Sequence, residues 1–303
     1  MELGIDLGGT TVKLGLLHDG VVVASDEIRT TGTAADLDGV RARAHDLLRD
    51  AGSGWDLTAV GIAVPGVVDR PRRAMIQAND KYAHVIGVDL VRWAEVAFDA
   101  PAVLENDARA ALVGEVADGC AAGTRDAVMI TLGTGIGTAA MMDGVLVRGA
   151  HGHAGILGGH VTVDIDGPAC PCGNIGCAET VASTRALRES HPALDGIRDV
   201  VAGAAASAEL ALLLHRYVEV WGAAVVGMCH MYDPDVVVLS GGVLRAGDAV
   251  SGPIADYVTA HLWSSAHRPR FAVPDAPELS VVRGLAALAR SARRGRSTEG
   301  ERA

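Results

Sequence analysis

Short apolar runs that stop at glycine recur along this chain. Residues 2–7 (ELGIDL) meet Gly8-Gly9-Thr10-Thr11, and the runs VKLGLL and VVVASDEI follow, separated by Asp19-Gly20. β-Branched and aliphatic runs bounded by Gly and Asp predict strand, glycine-rich hairpin, strand, turn, strand. Residues 36–50 carry helical spacing. Residues 58–64 read as a buried strand stopped at Pro65-Gly66, and 101–104 as a strand ending at Glu105-Asn106-Asp107 before the helix ARAALVGEVADG. The pattern then restarts. Residues 127–132 (AVMITL) meet Gly133-Thr134-Gly135-Ile136-Gly137, and the extended runs TAAMM and GVLVRG follow. A long helix over 208–231 precedes DVVVLSGG, and a last apolar helix over 283–293 precedes a polar tail expected to lack structure. The Ala-rich stretch 202–214 reads as helix packing.

Each half thus opens with strand, glycine-and-threonine turn, strand. The repetition predicts an α/β fold of two related domains facing each other across a cleft. The expected partition is 1–117 with a returning helix in 284–303, and 118–283 as the larger domain.

Composition narrows the function. The chain has 303 residues, 49% of them hydrophobic and 21% charged, enough for two packed cores. Aromatics are only 3%, so Ala, Val and Leu must fill those cores. A formal net charge of −11 argues against nucleic acid as a partner. No apolar run has the roughly 18–20 residues a membrane span needs, and the first residues carry no basic leader. The expectation is a cytoplasmic protein with small-molecule partners.

Two glycine loops at strand ends are suited to phosphate. Glycines bring backbone N–H groups close to an anion, threonine hydroxyls add donors, and Asp6 is placed to hold a hydrated Mg²⁺. The candidates are Asp6, Gly8, Gly9, Thr10 and Thr11 in the first loop, and Gly133, Thr134, Gly135 and Gly137 in the second. Lys13 stands beside the first loop among the phosphate candidates, although its alternation with apolar residues is that of a surface lysine. An ordinary hairpin turn is the plain alternative for one such loop. Two in corresponding places weaken it. The strand-turn-strand setting is that of neither a Walker A nor a dinucleotide loop.

Glu105-Asn106-Asp107 falls between a strand and a helix. A carboxylate there can accept the proton of an attacking hydroxyl, with the amide orienting it. Helix N-capping is the structural alternative. His160, Cys170, Cys172 and Cys177 give one imidazole and three thiolates, a closed tetrahedral set for structural Zn²⁺. Buried free cysteines are the alternative, as for Cys120 and Cys229, which read as core. His151 and His153 read as solvated loop residues.

Together, DLGGT, a strand ending END, LGTGIG and GH…CxCGxxGCxE resemble the ROK family of sugar kinases and related repressors, over about residues 2–290. The resemblance implies an actin/hexokinase-type (ribonuclease H-like) fold, ATP with Mg²⁺, structural Zn²⁺, a homodimer, and phosphorylation of a hexose at its 6-hydroxyl with Asp107 as general base. It implies sugar contacts from Gly66, Asn79, Asn106, Asp107, His160 and Glu179, and places Gly241 and Gly242 near the adenosine. His160 would serve zinc on one nitrogen and sugar on the other. The chain departs from the family at one point. Where the family has Glu three residues before the zinc histidine, this sequence has Leu157. A lost charge-assisted hydrogen bond costs roughly 1.5–3 kcal/mol, so the expected sugar differs from glucose. A modified hexose of antibiotic biosynthesis such as kanosamine is the example the resemblance offers; Asp80 beside Asn79 would suit its ammonium group, but reads first as a solvated loop acid. Two rivals stand beside the kinase: a non-catalytic sugar sensor derived from a repressor, and a kinase using polyphosphate.

Overall fold

The computed structural model describes residues 1–52, 54–78 and 82–300, without the side chains of 294–300. Asn79 and Asp80 lie outside the described residues.

Contacts divide the chain into two compact units. The first comprises Met1–Ala122, Arg148–His153 and Glu278 to the C-terminal end, and the second Gly123–Val147 and Ala154–Pro277. Segment 148–153, assigned to the second domain on sequence, packs with the first. Arg148 pairs with Glu105 through Nε at 2.9 Å, and Arg109 donates to Gly152 O at 2.9 Å.

The sheet of the first unit holds β1 (Glu2–Leu7), β2 (Thr11–His18), β3 (Val21–Arg29), β4 (Ala59–Val64) and β7 (Ala102–Asn106), in the order β3-β2-β1-β4-β7. β1 runs antiparallel to β2 and parallel to β4, which is parallel to β7. β4 is buried throughout, as a central strand covered on both faces must be. Two short strands, β5 (Val67–Asp69) and β6 (Ala74–Gln77), form a separate ribbon. The helices are α1 (Ala35–Asp50), α2 (Leu90–Phe98) and α3 (Asp107–Asp118). Neither α2 nor the ribbon was expected.

The sheet of the second unit repeats this plan. β8 (Ala127–Leu132), β9 (Ile136–Met142), β10 (Val145–Leu146), β11 (Val236–Ser240) and β12 (Arg270–Ala272) lie in the order β10-β9-β8-β11-β12. β8 is antiparallel to β9 and parallel to β11, which is parallel to β12. The helices here are α4 (Ala178–Ala182), α5 (Thr184–Ser190), α6 (Ile197–Ala204), α7 (Ala208–Tyr232) and α8 (Asp248–His261). The Ala-rich stretch expected to be helical is broken between α6 and α7, where the Ser207 side chain caps Leu210 N. Among the described residues α7 has the length and apolar composition of a membrane span, correcting the expectation that no such run exists. Its Tyr217, Trp221 and Val225 are buried in this unit's core, and the Trp221 indole donates to Ala182 O at 2.7 Å.

The chain returns to the first unit as α9 (Ser280–Gly300). The helix continues to Gly300, where the polar tail was expected to lack structure. It crosses α3 at Gly114 and Gly284, and a Cβ at Gly284 would collide with Ala110 O. Ser280 Oγ donates to buried Glu115 at 2.5 Å and fixes the start of the crossing. α9 thereby anchors α3, the helix that begins at Asp107.

Candidate active site and metal centre

The first loop follows β1. Leu7 pairs with Val12 across the hairpin, leaving Gly8, Gly9, Thr10 and Thr11 between them. Gly8 N donates to Asp6 O at 3.0 Å, and Thr30 N to Thr10 O at 3.1 Å. Asp6 lies opposite Lys13, and Lys13 opposite Glu27. Lys13 also lines a cavity of about 360 Å³ with Ser25, Asp26 and Glu278.

Asp107 opens α3 at the end of β7. Its Oδ1 accepts from Ala108 N at 2.8 Å and from Asn106 Nδ2 at 3.0 Å. Asn106 caps the helix by accepting from Arg109 N at 3.2 Å, and its amide also donates to Gly66 O at 3.3 Å. The helix cap named as the structural alternative is thus present, and the same Asn106 side chain orients the Asp107 carboxylate. Gly66 is required by packing, since a Cβ there would collide with Gln77 O.

Asp6 and Asp107 are partly exposed, yet each is surrounded by enough protein for burial to raise its pKa. Burial and then the negative charge of Asp107 push Asp6 to about 7, against the pull of Lys13. Burial lifts Asp107 to about 6, against hydrogen bonds from Ala108, its own N–H and Asn106. Two neighbouring acids raised in this way fit a divalent cation, and Asp6 is the residue that would hold Mg²⁺.

Two features of this region were not found by sequence reasoning. Tyr82 is buried, and a Cβ on Gly9 would approach its hydroxyl to 2.5 Å. Burial, then Asp107 and Asp6, raises its phenol to about 12, leaving it a neutral donor. A lone tyrosine in an aromatic-poor chain is a weak signal. The second is the pairing of Glu105, which the sequence marks only as part of the motif before α3; the side chain is buried with Arg109. Its Oε1 accepts from Asn106 N at 3.0 Å and faces Arg109 at 3.4 Å, and its Oε2 accepts from Arg148. Glu105 holds the backbone from which Asn106 and Asp107 project. Its partner is 43 positions away, so the pairing left no sequence signal.

In the second unit, Leu132 pairs with Ile136 and Gly133, Thr134 and Gly135 form the loop. Gly137 lies on β9, opposite Thr131. Thr184 N donates to Gly133 O at 2.9 Å and Arg185 N to Thr134 O at 3.3 Å, so the start of α5 holds the loop. Gly241 has φ +96°, which favours glycine, and a Cβ there would also strike the Leu132 backbone. The turn containing Gly241 and Gly242 therefore lies against the base of the loop. Glu179, expected at the sugar, accepts from Ile136 N at 2.8 Å through Oε2 and from Arg185 at 3.1 Å through Oε1.

The ligand atoms of His160, Cys170, Cys172 and Cys177 all lie within 4.8 Å of one another. Cys170 Sγ is 3.6 Å from His160 Nδ1, and Cys172 Sγ is 3.7 Å from Cys177 Sγ. A zinc tetrahedron with Zn–S bonds of about 2.3 Å has edges of about 3.8 Å. Donor set and spacing both fit Zn²⁺ at a closed site. His160 turns Nδ1 toward the thiols, leaving Nε2 as its other nitrogen. Leu157 is exposed at the start of the turn Gly158–His160. Of the two remaining cysteines, Cys229 is buried, whereas Cys120 is only half-buried rather than core.

Two sheets of one topology define the actin/hexokinase-like class. A crystal structure of a ROK family glucokinase from Streptomyces griseus, in complex with glucose and AMPPNP, matches with TM-score 0.78 and 29% identity, covering 96% of this chain and 99% of that one. The chain belongs to the ROK family, whose model matches residues 2–292. It is 30% identical to a glucokinase of Thermotoga maritima over 282 residues, 87% of this chain and 88% of that protein. It is also 34% identical to a xylose repressor of Bacillus spizizenii over 146 residues, 48% of this chain and 37% of the repressor.

Proposed function

We propose that this protein is an ATP-dependent sugar kinase that phosphorylates a hexose or amino-hexose at its 6-hydroxyl. The observation that carries the reading is Asp107, a carboxylate with a raised pKa of about 6, oriented through Oδ1 by Asn106 and Ala108. A base titrating near 6 is ionised at neutral pH and still takes a proton readily. Asp107 accepts the hydroxyl proton as the phosphoryl group transfers in line. Asn106 and Gly66 fix its position. Mg²⁺, when bound at Asp6, would supply charge neutralisation for the phosphates, and the glycine loop after β1 would offer them backbone N–H groups. Zn²⁺ shapes the segment around His160 without entering the chemistry.

The similarity to glucokinases, at 30% identity over 87% of the chain, supports this reading over the sensor; a xylose repressor of Bacillus subtilis covers 73% of the chain at 26% identity, and turnover separates the two. We place the enzyme in the cytoplasm, where ATP and a free sugar meet. Leu157 supports a sugar whose ring differs from glucose near C1 and C2, an amino sugar such as kanosamine among them. The deciding experiment is ADP release from ATP over a panel of hexoses and amino-hexoses, with polyphosphate as the alternative donor. Sugar-dependent turnover with ATP is expected. Absence of turnover with every sugar, alongside saturable sugar binding, would establish the sensor.

A further inference from the structure

We infer that Tyr82 is a further catalytic residue: its hydroxyl, lodged against the first glycine loop, donates a hydrogen bond to the phosphoryl group as it transfers. This rests on the kinase reading above and adds a residue to it. The ring of Tyr82 is buried in the core of the first unit, so the side chain is anchored through its apolar part. Its far end fills the space that a side chain on Gly9 would need. A Cβ there would meet the hydroxyl at 2.5 Å and ring carbon Cζ at 3.3 Å. The hydroxyl therefore lies at the loop whose N–H groups are suited to phosphate. The backbone behind it is also held. Val85 N donates to Tyr82 O at 3.0 Å, and His84 Nε2 faces Asp36 Oδ2 at 3.5 Å. Asp36 accepts from Thr31 N at 2.8 Å and Gly32 N at 2.9 Å, and the neighbouring Thr30 N donates to Thr10 O at 3.1 Å. The segment carrying the tyrosine and the segment holding the other end of the loop thus meet at Asp36.

The charge of the place suits a phenol. Burial, then Asp107 and Asp6, keeps the proton on Tyr82 up to about 12, so it donates and stays neutral. A lysine there would pair with the two acids, whereas a phenol leaves Asp6 to the cation and Asp107 to the substrate proton. In the transfer, the sugar oxygen bonds to the γ-phosphorus and its proton passes to Asp107. The bond from phosphorus to the ADP oxygen breaks, and its electron pair leaves with ADP. Tyr82 gives up no proton. Its hydrogen bond stabilises the charge on the phosphoryl oxygens while both bonds are partial.

Tyr82→Phe keeps the ring in the core and removes only the hydroxyl, and a melting curve checks that the fold is intact. With the sugar that wild type turns over best, kcat is measured together with separate KM values for sugar and ATP. Binding of AMPPNP with Mg²⁺ reports the ground state. Binding of ADP with Mg²⁺ and aluminium fluoride, a mimic of the phosphoryl group in transit, reports the transition state in the presence of that sugar. Tyr82→Phe should lower kcat roughly ten- to hundredfold and weaken the aluminium fluoride complex by a similar factor, because a donor to a charged group is lost only there. KM for sugar and AMPPNP affinity should stay near wild type. The inference is overturned by an unchanged kcat, which makes the hydroxyl a packing feature. It is also overturned by a loss confined to the KM for sugar, or by an equal loss in AMPPNP affinity. Wild type that turns over no sugar would refute the kinase reading and this inference with it, whereas an active wild type matched by Tyr82→Phe refutes the inference alone.

Discussion

The two glycine loops start from one backbone plan and end in different chemistry. Each joins the first strand of its sheet to an antiparallel neighbour, and Asp6 and Thr131 occupy the same next-to-last position of β1 and β8. The first loop has four residues between its last paired positions and the second has three. The first gathers ionisable groups: Asp107 and Lys13 act on the titration of Asp6, and Asp107 and Asp6 on that of Tyr82. The second has a threonine where the first has its acid, and is held in shape by a carboxylate and two amides from α4 and α5. A duplicated fold can therefore place charge in one copy and rigidity in the other without changing strand order.

The largest expected effect is on the charged side. Asp107→Asn should lower kcat by about 10²–10⁴, while AMPPNP affinity stays near wild type because the second loop is untouched. A folded variant with near-normal kcat would take Asp107 out of the mechanism. In wild type, kcat/KM should rise as pH passes about 6 and then level, because Asp107 must lose its proton to act. Asp6 titrates close by, so the limb reports the pair. In the residual activity of Asp107→Asn the part of the rise due to Asp107 should be missing, leaving a shallower limb from Asp6.

On the braced side, Cys172→Ser should abolish the roughly one Zn²⁺ per chain expected by metal analysis. It should also lower Tm by at least about 5 °C, since 1 kcal/mol is worth about 2–4 °C at this domain size. Protein purified without chelator and free of zinc would reject the metal centre. Smaller again is Leu157→Glu. Leu157 is exposed, so the fold should tolerate the acid, and glucose should gain about tenfold in kcat/KM. Wild type that already prefers glucose to every amino-hexose would refute the specificity argument.

How much of this the sequence disclosed follows from the range of each interaction. The strands beside the glycine loops were legible because hydrophobic runs and turn residues are local. The zinc set was legible because three of its ligands lie within eight positions. The bonding of Glu179 to Ile136 was not, because it joins residues 43 apart and needs the close approach at Gly135. Glu105 likewise reads as an acid before a helix until Arg148 is placed beside it. The apolar runs of α2 and α8 lacked punctuation strong enough to mark them, and α8 carries Pro253 within the helix.

The smallest effect concerns stability, and it falls on the first loop alone. Asp6 has a pKa of about 7 in the folded chain against an ordinary value of 3.8. Below about 4 it is protonated in both states and costs nothing. Between 4 and 7 the folded state holds a proton that the unfolded state has released. Above 7 the folded chain carries the buried charge in full. The stability associated with the raised pKa is thus present at low pH and lost as pH rises through 7. Asp6→Asn, which removes the charge, should raise Tm by a few degrees at pH 8 without Mg²⁺, and the gain should shrink toward zero by pH 4. Thr131→Val, at the matching place in the second loop, should show no such pH dependence. Millimolar Mg²⁺ should raise the Tm of wild type at pH 8 and leave Asp6→Asn unmoved, because only the acid has a charge for the cation to neutralise. A gain in Asp6→Asn that is equal at pH 4 and pH 8 would mean that packing, not charge, distinguishes the two loops.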